Sequence, residues 1–234
     1  MNPFRKIAKW AGIVTLALLL LAAILPFLIP ITPLENLHTP QSIAQEDSQF
    51  VTIPFAGTDG SVLALQAAHT HPDRVEALIL ADSAVYIQES IPAGIINLPQ
   101  VQKLGPLFGR MIGSSESFVR QTYLDPAAID DTRMRLTLIH TEVNGWDEAM
   151  WEYLQEWSVS PIDLTGKLST ISQPALVITG DNDKVVPVGD SARLANTLPN
   201  AQYAVLTTCG HVPQEECPER FEDTLNAWLT EHNQ

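Results

Sequence analysis

The longest apolar stretch of this chain lies near its N-terminus, where no charged residue occurs from Trp10 to Ile31. About 20 apolar residues suffice to cross ~30 Å of hydrocarbon as a helix. Arg5, Lys6 and Lys9 precede the stretch and none of the 27 acidic residues does. Positive charges stay on the cytoplasmic side of a membrane. We therefore predict a cytoplasmic tip and uncleaved anchor over residues 1–31, with the rest of the chain periplasmic or extracellular.

Shorter apolar runs alternate with helical patterns along the remaining chain. Runs that are apolar at nearly every position are typical of parallel strands covered on both faces, and single helices between them predict a parallel sheet. The predicted strands are Phe50–Phe55, Val75–Ala81, Pro174–Gly180 and Ala201–Leu206. The predicted helices are Ser61–His71, Asp190–Leu198 with Asp190 as N-cap, and Pro218–Glu231 with Pro218 in the first turn. The pattern predicts an α/β fold.

Two segments do not belong to this alternation. Residues 32–49 are polar and interrupted by Pro33 and Pro40, which is typical of a linker. Residues 86–170 are too long for a loop and contain helical patterns over Ser114–Thr122, Pro126–Thr141 and Asp147–Trp157. We expect a helical cap there, inserted into a domain of residues 50–234. Its apolar residues at helical spacing form either the cap core or a wall over a substrate. These residues are Trp146, Met150, Trp151, Leu154 and Trp157.

Composition narrows the classes of function. The chain is 45% hydrophobic, so it has enough apolar surface for a core, and its net charge of −14 disfavours nucleic acid as a partner. It has neither a Gly-rich phosphate loop nor cysteine and histidine residues at zinc spacing, so we expect no cofactor and no metal. Cys209 and Cys217 flank His211, and outside the cytoplasm we expect them to form a disulfide.

Two of the predicted strands are followed directly by residues suited to catalysis. Asp183 lies in the segment GDNDKVVP after Pro174–Gly180, and His211 lies in CGHVP after Ala201–Leu206. Because parallel strands end at the same edge of a sheet, the carboxylate can hold Nδ1–H of the imidazole, which leaves Nε2 to act as a general base. Asp181 and Asp82 remain alternatives for the acid.

These segments, together with LQAAHTHPDRVEALILADSA, CGHVPQEECPERF and GWDEAMWEYLQEW, resemble the second half of an α/β-hydrolase. The resemblance runs from about Ser61 to Leu229 and is to the cap-bearing branch of esterases, epoxide hydrolases and C–C hydrolases. It implies hydrolysis of an ester or related bond in a small, apolar substrate by a nucleophile, His211 and Asp183, without a cofactor. It also implies a truncated fold, since the first half of the family's domain is not recognisable.

The nucleophile of such a triad is the unresolved part of this interpretation. No G-x-S-x-G motif and no preceding His-Gly oxyanion loop occur in the sequence. Either AGTDG is a degenerate elbow with Thr58 as nucleophile, or QFVTIPFAGTDG is the family's opening strand and turn. In the second case the chain continues near Gly60–Ser61 into the helix that normally follows the nucleophile. Ser61 is then either a helix N-cap or the nucleophile itself.

A truncated domain has two further consequences. The protein could be a non-catalytic remnant that acts at most in binding or as a scaffold, because fold alone does not establish activity. Apolar surface that the missing elements would cover should be exposed. We also expect Glu215 and Glu216 to be solvated.

Overall fold

The computed structural model describes residues 3–43, 60–86, 92–159 and 162–232. The predicted strand Phe50–Phe55 and Thr58 lie outside the described residues. The structure has eleven α-helices and three strands within that part of the chain. The helices before the sheet are α1 Pro3–Leu28, α2 Pro40–Ile43 and α3 Gly60–Thr70. Those between the first two strands are α4 Ala93–Ile96, α5 Pro99–Gly113, α6 Glu116–Thr122, α7 Asp131–Thr137 and α8 Trp146–Val159. The last are α9 Val188–Thr197, α10 Pro213–Glu216 and α11 Pro218–His232.

Helix α1 contains a segment, Lys9–Leu28, that is long and apolar enough to cross a membrane, with a mean hydropathy of 2.6 and no buried residues. Pro26 lies inside the helix, and the helix ends at Leu28, before Pro30. Beyond it, His38 pairs with Val143, and its amide donates to Glu142 O at 2.8 Å. The start of the predicted linker is therefore held against the helices between the first two strands.

The sheet has three parallel strands in the order β1 Leu78–Ala81, β2 Ala175–Gly180 and β3 Ala201–Leu206. Its register pairs Ala81 with Ile178 and Gly180 with Leu206, so the carboxyl ends of β2 and β3 lie side by side. Strands β2 and β3 agree with the sequence prediction within one residue. Strand β1 begins three residues later than predicted.

The core lies on both sides of β2, whose residues are all buried. On one side, Leu65 of α3 and Leu194 of α9 pack with Leu80 and Val177. On the other, Trp228 of α11 packs with Ile178 and Leu206. A strand buried on both faces can have a continuous apolar sequence, which explains why β2 was recognisable.

The outer strands are covered less completely than the sequence predicts. Ile79 of β1 is 41% exposed and Val205 of β3 is 42% exposed. The prediction that every strand is covered on both faces is therefore wrong for β1 and β3, because the described helices pack mainly over β2. Exposed apolar positions on the sheet agree with the expected apolar surface of a truncated domain.

Two helix starts also differ from the prediction. Helix α9 begins at Val188 with Pro187 as its N-cap residue, so Asp190 lies in the first turn, not at the cap. A carboxylate in that turn still complements the helix dipole. Helix α3 begins at Gly60, so Ser61 lies inside its first turn, not at its N-cap.

The segment between β1 and β2 is organised around the contact of α5 with α8. Gly105, Gly109 and Gly113 are the buried residues of α5, and they face Trp146, Asp147 and Trp151 of α8. Arg110 Nε donates to Asp147 Oδ2 at 2.8 Å beside them. The buried tryptophans are thus part of the core of this helix pair, as one of the two interpretations of the aromatic positions predicted.

Substituting Gly109→Ala should destabilise this helix pair. A Cβ at Gly109 would overlap the carbonyl oxygen of Asp147 and lie 3.2 Å from the amide of Trp151, both in the backbone of α8. Because backbone cannot rotate away, we expect a loss of about 1–3 kcal/mol in the free energy of unfolding. Chemical denaturation monitored by tryptophan fluorescence measures it. Gly94→Ala is the control, since nothing lies within 4 Å of its Cβ position. Equal stabilities of the two variants would contradict this packing.

Candidate active site at the carboxyl edge of the sheet

Asp183 and His211 follow β2 and β3 and lie in direct contact. His211 Nδ1 is 3.0 Å from Asp183 Oδ2, and the Asp183 side chain is fully buried while that of His211 is 24% exposed. The other carboxylate oxygen of Asp183 accepts hydrogen bonds from the amides of Val185 at 2.7 Å and Val186 at 2.9 Å. The turn after β2 therefore fixes the carboxylate, and the carboxylate orients the imidazole.

The charge state of Asp183 follows from these contacts. Burial by itself would raise the pKa of this carboxyl. The hydrogen bonds from His211, Val186 and Val185 outweigh burial and hold the pKa below its usual value. Asp183 is therefore a carboxylate near neutral pH, which is the form that can stabilise an imidazolium.

Asp181, an alternative for the acid, has a different role. Its Oδ1 accepts from the amide of Cys209 at 3.2 Å and from Asn182 Nδ2 at 2.6 Å. Its backbone amide donates to Leu206 O at 3.0 Å. These contacts tie the loop after β2 to the loop after β3 and give no contact between the Asp181 carboxylate and the imidazole.

Asp82, the other alternative, lies beside the pair after β1. Its side chain is buried, and Oδ1 accepts from Thr179 Oγ1 at 2.7 Å and Gly180 N at 3.2 Å. Its backbone has a φ of 43°, a conformation that few non-glycine residues adopt and that is found at functional sites. One ligand atom each of Asp82, Asp183 and His211 lie within 4.8 Å of one another. Among the described residues, this group has the residue types and the proximity of a metal site.

The pKa of Asp82 is raised to about 7, first by burial and then by the charge of Asp183, while the bond from Thr179 opposes the rise. Thr179 was not identified as a site residue from the sequence, because it lies in an otherwise apolar strand. Its polar side chain in the run ALVITG was the one signal that could have indicated its role. The titratable groups near Asp82 are Asp183, His211 and Tyr203. The pKa of Tyr203 is raised by burial and by the charge of Asp82.

Asp82 should make stability depend on pH. Between about pH 4 and 7 the folded state keeps a proton that the unfolded chain has lost, so stability decreases as pH rises, by at most about 1.4 kcal/mol per pH unit. Asp82→Asn removes this term while retaining an acceptor for Thr179. We expect the free energy of unfolding of the variant, relative to wild type, to increase from pH 4 to 7 and then level off. Denaturant titrations at several pH values measure it. Parallel profiles for wild type and Asp82→Asn would contradict the raised pKa.

The loop that carries His211 is closed by the expected disulfide. Cys209 and Cys217 are bonded and buried, with their Cα atoms 6.1 Å apart, and they pack with Trp228. The bridge joins the start of the loop to the residue before α11. His211 therefore lies within a small covalent ring.

Removing this disulfide should lower stability by about 2–3 kcal/mol, because closing even a short loop reduces the entropy of the unfolded chain. Cys209→Ala/Cys217→Ala is the suitable variant, since alanine adds no buried polar group. Urea unfolding of the variant and of reduced wild-type protein should give the same shift. An unchanged midpoint after complete reduction would show that the loop is held by its other contacts alone.

The loop that carries His211 is also held by the segment Thr122–Leu124, at the end of α6 and directly after it. The amide of His211 donates to Thr122 O at 3.2 Å, and the amide of Leu124 donates to Glu216 Oε2 at 2.7 Å. Lys184 Nζ donates to Leu124 O at 3.3 Å. One short segment thus contacts the loops of both Asp183 and His211.

The expectation that Glu215 and Glu216 are solvated is wrong. Glu215 accepts from Tyr123 Oη and forms a 3.1 Å ion pair with Arg133. Burial and then the bond to Glu215 raise the pKa of Tyr123 to about 12. Two adjacent glutamates on a short helix gave no indication of partners so distant in the sequence.

The candidate nucleophiles are less well defined. Ser61 lies half-buried in the first turn of α3, and Thr58 lies outside the described residues. Both therefore remain predictions.

Comparison with known proteins identifies the family to which this fold belongs. Residues 60–218 match the sequence profile of the family described as alpha/beta hydrolase fold. A 2-hydroxymuconate semialdehyde hydrolase of Pseudomonas putida is 29% identical over 176 residues, 74% of this chain and 60% of that protein. A pimeloyl-acyl-carrier-protein methyl ester esterase of Nitrosomonas europaea is 37% identical over 65 residues, 28% of this chain and 26% of that protein. The chain thus spans 60% or less of the length of these relatives.

Solved structures share the fold. An esterase from Thermogutta terrifontis has a TM-score of 0.57 at 21% identity, covering 75% of this chain and 63% of that one. A bacterial membrane phospholipase A has a TM-score of 0.54 at 22% identity, covering 74% and 55%. Because the family profile matches residues 60–218, which include the parallel sheet, the chain is a member of the α/β-hydrolase family.

Proposed function

We propose that this protein hydrolyses an ester or a related bond, with His211 as general base and Asp183 as the residue that orients it. The observation that carries the proposal is the 3.0 Å contact between His211 Nδ1 and a buried carboxylate of Asp183. A lone histidine on a loop would not support it. A histidine held through Nδ1 by an ionised acid presents Nε2 for proton transfer.

The chemistry requires a hydroxyl that attacks the carbonyl carbon of the substrate. His211 Nε2 takes the hydroxyl proton as the new C–O bond forms, and Asp183 stabilises the resulting imidazolium. The imidazolium then protonates the leaving group as the scissile bond breaks. Water repeats the sequence on the acyl-enzyme and releases the acid. No cofactor takes part in this proposal.

Thr58 and Ser61 are the candidate hydroxyls. A threonine is the more crowded nucleophile, because its carbinol carbon bears a methyl group. Ser61 is at the N-terminal end of α3, where backbone amides are not yet used within the helix. Such amides could serve an oxyanion, whose stabilisation is worth about 10²–10³ in rate.

The substrate class follows from the relatives. Two of them are named as a methyl ester esterase and as a hydrolase of a muconate semialdehyde, so we propose an ester or a related carbonyl compound as substrate. Helices α5 and α8, which lie between β1 and β2, would form part of the cap over such a substrate.

We further propose that α1 anchors the domain outside the cytoplasm. The apolar segment Lys9–Leu28 has no buried residue, and Arg5, Lys6 and Lys9 precede or begin it. A disulfide beside the site supports an oxidising compartment. Protease added to cells that have an intact inner membrane but no outer-membrane barrier should digest the domain. Digestion only after the inner membrane is lysed would contradict the proposed orientation.

A fluorophosphonate probe tests the proposed hydrolysis. The full chain, purified in detergent, should be labelled on a hydroxyl, and mass spectrometry should place the label at Thr58 or Ser61. His211→Ala should abolish labelling while circular dichroism stays unchanged. A folded wild-type protein that takes no label would contradict the enzyme and favour a non-catalytic protein that retains only the hydrolase architecture.

A further inference from the structure

Helix α5 has a side whose apolar residues are largely exposed. Phe108, Met111 and Ile112 are 38%, 64% and 39% exposed, and their spacing places them on one face of the helix. Ile95 of α4 and Leu98, which precedes α5, are also about half exposed. Phe108 lies at the edge of this side, with its ring centroid 6.1 Å from that of Trp151 of α8. The glycines of α5 contact α8 on another face, so Met111 and Ile112 are not needed for the helix pair.

The charge of this region differs from that of the rest of the chain. No acidic residue occurs between Glu89 and Glu116, although the chain has 27 of them. The same stretch contains Lys103 and Arg110. Helix α8, by contrast, exposes a row of Glu148, Glu152 and Glu156 on the side that does not contact α5. Arg110 is paired with Asp147 of α8. The exposed side of α5 is therefore apolar and without acidic residues, whereas the exposed side of α8 is acidic.

Helix α5 also lies against α1. Gln100 Nε2 donates to the carbonyl oxygen of Ala23 at 3.3 Å. Ala23 precedes the end of the apolar segment at Leu28 by five residues, which is about 7 Å at 1.5 Å per residue. Helices that lie in a membrane interface bury their apolar face about 5–10 Å deep. The contact of α5 with α1 therefore lies at the depth expected for a helix in the membrane interface.

We propose that the apolar side of α5 and α4 rests in the surface of the phospholipid bilayer into which α1 inserts. Lipid is favoured as the occupant because the surface is continuous with an exposed membrane-spanning segment and lacks acidic residues. An otherwise acidic protein would be repelled by anionic lipid headgroups. The acidic row of α8 then faces water, and the helices between β1 and β2 lie where a membrane-dissolved substrate would leave the bilayer. This proposal rests on the insertion of α1, not on hydrolytic activity.

Fluorescence quenching in reconstituted vesicles tests it. The full chain is placed in phosphatidylcholine and phosphatidylglycerol vesicles, with single cysteines introduced by Met111→Cys, Glu152→Cys or Leu18→Cys. Both native cysteines are in the disulfide and do not react with the label when no reductant is present. Nitroxides attached to the lipid at shallow or deep positions quench dyes at those depths. Met111 is 64% exposed, so a dye there should not disturb the fold.

The dye at Met111 should be quenched by the shallow nitroxide, and the dye at Glu152 on the same helix pair should not. The dye at Leu18 should be quenched by the deep nitroxide, which shows separately that α1 is inserted. If Leu18 is quenched and Met111 behaves like Glu152, the proposal is wrong while the anchor stands. If pyrene at Met111 gives excimer emission without lipid quenching, a second copy covers this face and the proposal is also wrong. If Leu18 is not quenched either, both the anchor and the proposal fail.

Discussion

Replacing His211 by alanine should lower kcat/KM for ester hydrolysis by about four to six orders of magnitude, because the group that accepts the nucleophile's proton is lost. The substitution affects a partly exposed side chain, so the fold should survive. Hydrolysis of a short-chain nitrophenyl ester by the purified full chain, with and without the substitution, measures it.

Two aspartates give matched comparisons. Asp183→Asn should cost about 10⁴ in rate, since the amide can no longer hold the imidazole in the required tautomer or stabilise its charged form. Asp181→Asn alters the neighbouring carboxylate, which bonds to the Cys209 amide and not to His211. Asp181→Asn should therefore lower the rate of hydrolysis far less than Asp183→Asn does. Equal losses in the two variants, or an active His211→Ala protein, would remove the proposed base and acid from the mechanism.

Substituting Gly180→Ala should be the most damaging change to the fold near the site. A Cβ at this last residue of β2 would overlap the carbonyl oxygens of Cys209 and Gly210, which belong to the loop that carries His211. Neither backbone group can move without shifting the histidine or straining the disulfide ring. We expect a loss of about 3 kcal/mol in the free energy of unfolding, the upper end for overpacking, together with loss of activity.

Gly189→Ala is the control for this change, because nothing lies within 4 Å of its Cβ position in α9. Alanine there should leave stability unchanged or raise it by up to about 1 kcal/mol, through its better helix propensity. Thermal unfolding and ester hydrolysis measured on both variants provide the comparison. A Gly180→Ala protein as stable and active as the control would mean that the two loops are less closely packed than described.

The predictable parts of the fold are those in which burial on both faces requires an apolar residue at nearly every position. Strand β2 is buried at every residue, so its apolar run was sufficient to identify it. Strand β1 has an exposed Ile79 and begins later than its apolar run suggests, because apolarity does not show which face is covered. Helix α5 was not predicted. Its glycines and Pro106 weaken helix propensity, and contact with α8, which is distant in sequence, supplies the stability.

The candidate site divides in the same way. The proximity of Asp183 and His211 was predictable, because each follows a strand of one parallel sheet and the strands end at a shared edge. The contacts of Asp82 with Thr179 and Gly180 depend on the register between β1 and β2, and the register is not readable from either strand alone. The contacts of Thr122–Leu124 with the loops of Asp183 and His211 depend on how α6 and α7 pack against the sheet. The nucleophile stays a choice between Thr58 and Ser61.

The chain matches 60% or less of the length of the relatives with which it was compared. Within the described residues, β1 pairs only with β2, and one side of it carries the exposed Ile79. Stability and activity of the full chain should therefore be measured together, since a partly covered sheet favours association through apolar surface. Light scattering during the hydrolysis assays would show whether loss of activity reflects chemistry or aggregation.

The hydrogen bond between His211 and Asp183 can be observed directly by proton NMR of the full chain in detergent micelles. A strongly downfield resonance from Nδ1–H of His211 should be present in the wild-type protein and in Asp181→Asn, and absent from His211→Ala and Asp183→Asn. Its absence from folded wild-type protein, or its persistence in Asp183→Asn, would contradict the pairing on which the proposed catalysis depends.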